Sequence, residues 1–89
     1  MIRLSKMADY ALVLLKSLAG AESHCSAQAL AEMTKLRVPA VRKLLKQLHQ
    51  SDLLIAYQGA QGGYCLSRPA TDISILEIVE AIDGPIHLT

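Results

Sequence analysis

Phenylalanine and tryptophan are absent from these 89 residues, and three tyrosines are the whole aromatic complement. The core must therefore be aliphatic and leucine-rich. A lone domain of this size buries only roughly 60–65% of its unfolded surface, so a chain that is 52% hydrophobic needs helices and self-association as outlets for apolar area. No apolar run approaches the ~18 residues of a membrane span, and the N-terminus lacks a signal-like core with a cleavage site. The expected location is the cytoplasm, with no membrane partner. Cysteine is also scarce: Cys25 and Cys65 stand alone, without metal-ligand spacing, and a structural disulfide is not expected in a reducing compartment. His24, His49 and His87 are scattered, and no serine or cysteine sits in a nucleophile motif. Enzyme activity is not expected.

Net charge is scarce too, at +1, which by itself argues against a polyanionic partner. Its distribution argues the other way. Lys35 to Gln50 holds five bases (Lys35, Arg37, Arg42, Lys43, Lys46) and no acid, whereas Thr71 to Thr89 holds four acids (Asp72, Glu77, Glu80, Asp83) and no Lys or Arg. The bases are gathered where a polyanion could meet them.

Leu4, Met7, Ala8, Ala11, Leu12, Leu14, Leu15 and Leu18 recur at helical spacing, which predicts a helix over about residues 5–19 with Ser5 as cap and Gly20 as stop. Ser26 can cap a second helix ending near Thr34, with Ala27, Leu30, Ala31 and Met33 on its inner face. Lys35 to Val38 form a short turn, and Pro39 suits the first turn of a third helix running to Gln50. Val38, Val41, Leu44, Leu45 and Leu48 face inward there, leaving Arg37, Ala40, Arg42, Lys43, Lys46 and Gln47 outside. Leu53 to Tyr57 and Tyr64 to Ser67 are short β-competent runs around a turn containing Gly59, Gly62 and Gly63, the pattern of a hairpin. Ser74 with Glu77 is a capping-box signature for a last helix with an apolar stripe from Ile75 to Ile82, stopped by Gly84-Pro85. The fold class expected is mostly α with a small β-hairpin wing, a winged helix-turn-helix in one domain over residues 1–89.

A helix fits the DNA major groove, and long cationic side chains there reach guanine edges or phosphates. Candidate DNA-binding residues are therefore Arg37, Pro39, Ala40, Arg42, Lys43 and Lys46 on helix three, with Gln58, Gly59, Gln61 and Gly62 on the wing. Ser5, Lys6 and Ser26 are candidate phosphate contacts. Tyr64 is expected to pack beneath the wing. A charge run is also what a solvated helix face looks like; its position beside a glycine-rich wing gives this one weight. Two other readings stand beside DNA binding: a thiol-based redox regulator using Cys65, and an interaction module that docks a protein on the apolar Ile75 to Ile82 helix.

Four segments carry a resemblance over essentially the whole chain: Ile2-Arg3-Leu4-Ser5 with Asp9-Tyr10-Ala11-Leu12, then Leu36 to Leu48, then Gly59-Ala60-Gln61-Gly62-Gly63-Tyr64 with Leu66-Ser67-Arg68-Pro69, and Ile75 to Gly84-Pro85. Together they resemble the iron–sulfur-responsive winged-helix transcriptional regulators of the IscR and NsrR type, and among these the SUF-system iron–sulfur assembly regulators. The resemblance implies a homodimeric repressor that binds near-palindromic double-stranded DNA and responds to cluster supply, nitric oxide or redox state. It also implies an iron–sulfur cluster in the complete protein. The family's three cluster-ligating cysteines and long dimer helix normally follow a segment such as Gly84-Pro85, and the 89 residues stop before them, so tight cluster binding by this chain alone is not expected. Cys25 and Cys65 match neither the positions nor the spacing of those ligands. Asp9 falls where some nitric-oxide-sensing relatives supply a carboxylate to the partner subunit's cluster; the plainer reading is a solvent-facing acid in a first helical turn, favoured there by the helix dipole. Gln58 stands where relatives often carry a minor-groove arginine, and Arg42 where some are acidic, which implies a different site preference.

Overall fold

A computed structural model describes residues 4–85. Ile2-Arg3 of the opening motif and His87 lie outside the described residues. Four helices and one hairpin follow in the order α1 (Lys6–Ala19), α2 (Ala27–Thr34), α3 (Val38–Gln50), β1 (Leu54–Tyr57), β2 (Gly63–Leu66) and α4 (Ile75–Asp83), with a 3-10 turn at Ala70–Asp72 before α4.

Local chemistry explains most of these boundaries. The Ser5 hydroxyl accepts from the Ala8 N–H at 3.0 Å and starts α1, and the Ser26 hydroxyl accepts from the Ala29 N–H at 3.1 Å and starts α2. At α4 the capping box is complete, because Glu77 N–H donates to Ser74 Oγ at 3.1 Å while Ser74 N–H donates to Glu77 Oε2 at 2.8 Å. Such a side chain satisfies donors that the first turn otherwise leaves orphaned. Glu77 also pairs with Arg68, which ties the segment leaving the wing to the first turn of α4.

Thirteen residues of α3 present Val41, Leu44, Leu45 and Leu48 to the interior, all fully buried. They meet Leu14 and Leu18 of α1, Leu30 of α2 and Ile78 of α4 in one aliphatic core. Leu53 and Leu54 are buried at the start of the hairpin. Among the described residues no helix is long and apolar enough to cross a membrane.

Several sequence expectations shift. Helix three begins one residue early, at Val38, with Arg37 in the extended capping position rather than on the helix face. The strands are Leu54–Tyr57 and Gly63–Leu66 rather than Leu53–Tyr57 and Tyr64–Ser67. Met33, placed on the inner face of α2, is 53% exposed. The reason is that α2 is only two turns long and meets its neighbours through Leu30 and Ala31; Met33 lies on the edge of the stripe, past that contact. On α4 the stripe also divides, with Ile78 and Val79 buried and Ile75 and Leu76 exposed. Of the apolar helix considered as a protein-docking element, Ile75 and Leu76 are the large apolar side chains left exposed.

Candidate nucleic-acid interface

The connection from α2 to α3 is three residues long and contains no glycine. Lys35 makes the bend in the left-handed region at φ 65°. Thr34 holds the bend from inside: its hydroxyl donates to the Leu30 carbonyl at 2.7 Å and accepts from the Leu36 N–H at 3.4 Å. Leu36 then packs against the core, so the angle between α2 and α3 is fixed by burial on the concave side of the turn.

With the apolar side of α3 consumed, the opposite side carries Pro39, Arg42, Lys43 and Lys46, all exposed. Spacings of three and four put them on one stripe, about 10 Å long from the rise of 1.5 Å per residue. Arg37 is exposed beside its N-terminal end. Among the described residues the ion pair is Arg68 with Glu77, so no acid neutralises Arg37, Arg42, Lys43 or Lys46. Ala40 is half-buried, not on the open face; it lies in the first turn of α3 beside the half-buried Val38 and the buried Val41.

The hairpin is antiparallel, with Leu54 opposite Leu66, Ile55 opposite Cys65, Ala56 opposite Tyr64 and Tyr57 opposite Gly63. Strand alternation puts Leu54, Ala56, Tyr64 and Leu66 on the inner face, and Ile55, Tyr57 and Cys65 on the outer. Tyr64 packs against the core as expected and meets His49 of α3 edge-on, with centroids 6.3 Å apart. On the outer face the Cys65 Sγ lies 3.9 Å from the Tyr57 hydroxyl. That hydrogen bond, followed by the charge of a Cys65 thiolate and slight desolvation, holds the Tyr57 hydroxyl proton above its ordinary pKa.

A third strand segment completes the wing, and no pattern in the sequence announced it. Cys25 exchanges two backbone hydrogen bonds with Tyr64: Cys25 N–H donates to the Tyr64 carbonyl at 2.9 Å, and Tyr64 N–H donates to the Cys25 carbonyl at 2.7 Å. This crossing gives Gly63 a packing role, while Gly62 is confined by the hairpin's own main chain. A Cβ on Gly63 would lie 2.5 Å from the Cys25 carbonyl oxygen, and one on Gly62 would lie 2.4 Å from the Tyr57 carbonyl oxygen. Gly59 is different, since it adopts φ 104° with open space around its Cα, and it stands at the tip with Gln58, Ala60 and Gln61, all exposed.

Of the three phosphate-contact candidates, Lys6 is exposed. Ser26 is engaged in capping α2 at the point where the chain leaves the wing. Ser5 is engaged twice, because its hydroxyl caps α1 and also donates to Asp83 of α4 at 2.8 Å.

Residues 4–89 match the Rrf2 family, whose description is iron-dependent transcriptional regulator. The chain belongs to the Rrf2 family. Among curated Rrf2-type relatives it is 36% identical over 90 residues to the HTH-type transcriptional regulator IscR of Cereibacter sphaeroides, covering 97% of this chain and 58% of that protein. It is 25% identical over 85 residues to NsrR of Oceanobacillus iheyensis, covering 93% of this chain and 58% of NsrR. Solved structures with the same fold include CymR, the global cysteine regulator of B. subtilis, at TM-score 0.88 and 26% identity, covering 100% of this chain and 70% of CymR. T. potens IscR matches at TM-score 0.83 and 28% identity, covering 99% of this chain and 66% of that one. The chain thus spans little more than half the length of the curated Rrf2 relatives. The winged-helix fold follows from these likenesses, and the Rrf2 relatives the chain matches are transcriptional regulators rather than enzymes.

Iron dependence in the Rrf2 family directs attention to ligands. Among the described residues no three His, Cys, Asp or Glu side chains gather round a common point. Asp9 is exposed in the first turn of α1, whereas Cys25 and Cys65 are half-buried in the wing. These residues do not make a cluster site by themselves.

Proposed function

We propose that this chain is the DNA-reading part of an Rrf2-type transcriptional repressor in the cytoplasm that governs iron–sulfur assembly genes of the SUF kind. The observation that carries the reading is the stripe of Pro39, Arg42, Lys43 and Lys46, exposed, free of acidic partners among the described residues and lying on the helix that runs directly into the wing. In this reading α3 enters the major groove. Arg42 and Lys46 reach base edges or phosphates, and Arg37 and Lys43 meet the flanking backbone. Lys6 adds a phosphate contact, and the α2 N-terminus capped by Ser26 faces the backbone with its remaining N–H groups.

The wing offers Gln58, Gly59 and Gln61 to the minor groove or the phosphates, and the Gly59 tip has no side chain to hold it away. Two copies acting on a near-palindromic site would place two recognition helices one helical turn of DNA apart. The cluster belongs to the complete protein, and Asp9 is the residue of this chain offered as a carboxylate ligand to a partner's cluster.

The test compares Arg42→Ala and Lys46→Ala with wild type in fluorescence anisotropy at two salt concentrations. The probe is a labelled duplex selected from a random pool on the wild-type protein. Each variant is expected to weaken binding by about ten-fold, a typical scale for one base or phosphate contact, and a lost phosphate contact also lowers the salt slope by about one. Unchanged binding by both would remove α3 as the reading element.

A further inference from the structure

The wing tip is held from outside. Between Gln58 and Gly62 the described residues supply one backbone hydrogen bond internal to the tip, from Gly62 N–H to the Gly59 carbonyl at 3.0 Å. The second tether comes from the linker between α1 and α2. Nε2 of His24 donates to the carbonyl of Gln61, and the imidazole stacks on Tyr57 with centroids 4.8 Å apart and planes 27° from parallel. A backbone carbonyl only accepts, so Nε2 carries a proton in this contact. The contact uses the main chain of Gln61, which leaves the Gln61 amide free at the surface.

His24, Cys25 and Ser26 then act in immediate succession. His24 holds the wing tip, Cys25 pairs with the wing strand at Tyr64, and Ser26 caps α2. A glycine-rich tip without the His24 tether would sample many conformations, and ordering it on DNA would subtract from affinity. A tip already in place avoids that loss.

We infer that His24 is the positioning residue of the wing, presenting Gln58, Gly59 and Gln61 to DNA in one geometry and coupling that geometry to the N-terminus of α2. The inference rests on the DNA-binding reading above. Since His24 touches the main chain and Tyr57, it acts through the tip without contacting DNA.

The experiment uses the complete polypeptide and the selected duplex. His24→Ala is expected to weaken binding about five-fold, the scale of one net neutral hydrogen bond. In a Gln58→Ala/Gln61→Ala background, where the tip has lost its reaching side chains, the same substitution is expected to weaken binding less than two-fold. Amide exchange at Gly62 is expected to accelerate in His24→Ala while exchange along α3 is unchanged. His24→Asn retains a donor near the Gln61 carbonyl and is expected to recover part of the affinity; it also serves if His24→Ala folds poorly. Full affinity in His24→Ala, or an equal loss in both backgrounds, would overturn the positioning role while Arg42→Ala still weakened binding. Failure of the wild-type protein to select any duplex would overturn the DNA reading itself.

Discussion

Replacing Gly63 with alanine would put a methyl group 2.5 Å from the Cys25 carbonyl oxygen, 2.6 Å from the Cys25 carbonyl carbon and 2.9 Å from the Ser26 nitrogen. All three are main-chain atoms, so no side-chain rotation relieves the overlap. Ordinary non-bonded contact begins near ~3.5 Å, and the Cys25 segment must retreat by about 1 Å to reach it. Its two hydrogen bonds to Tyr64, now 2.9 and 2.7 Å, would stretch past the useful range of roughly 3.5 Å. Two lost main-chain hydrogen bonds, each about 1 kcal/mol net, plus disturbance of the neighbouring Ser26 cap, at about 1 kcal/mol, give an expected loss of about 3 kcal/mol. For a domain of this size that corresponds to a fall in Tm of roughly 12–24 °C. Thermal unfolding followed by far-UV circular dichroism measures it, with Gly20→Ala as control, because a Cβ there meets nothing closer than 3.8 Å. A Gly63→Ala protein melting within about 2 °C of wild type, below one kcal/mol on the same scale, would refute the claim that the Cys25 strand is part of the wing.

Asp52→Gly should stabilise the chain by about 1 kcal/mol in urea denaturation, because Asp52 sits at φ 63° just past the end of α3 and places a negative charge at the carbonyl end of that helix. The acid limb of stability should depend on Glu77, whose carboxyl is held below its ordinary pKa by the Ser74 N–H first and the Arg68 guanidinium next. A carboxylate depressed in the folded state contributes fully above its unfolded pKa and loses that contribution as pH falls through the lower folded value. Tm measured between about pH 5 and pH 3 should therefore fall less steeply in Glu77→Gln than in wild type.

The α2 to α3 turn and the caps were legible because their causes are local. Ser5, Ser26 and Ser74 act on N–H groups three residues away, a distance any reading of the chain can span. The basic stripe of α3 followed from the same logic, since burying Val41, Leu44, Leu45 and Leu48 turns Arg42, Lys43 and Lys46 outward. Periodicity alone failed at the margins of the helix faces: Met33 has the spacing of an inner residue but is exposed, and Ala40 has the spacing of an outer one but is half-buried.

His24 and Cys25 mark the deeper limit. In the sequence they are two polar residues of a linker. Their roles come from partners far along the chain, Tyr57, Gln61 and Tyr64, and a single bridging pair leaves no periodic trace. Gly62 and Gly63 are both legible as turn residues; Gly62 is required by the turn itself, whereas the strictest requirement on Gly63 is the main chain of Cys25 and Ser26 passing against it. The sequence by itself determined the helices, the hairpin and the charge stripe, because helix periodicity, capping and strand alternation act over a few residues. Only the tertiary structure decided how the wing is held, because that depends on a linker brought by the packing of α1 and α2 against the far edge of β2.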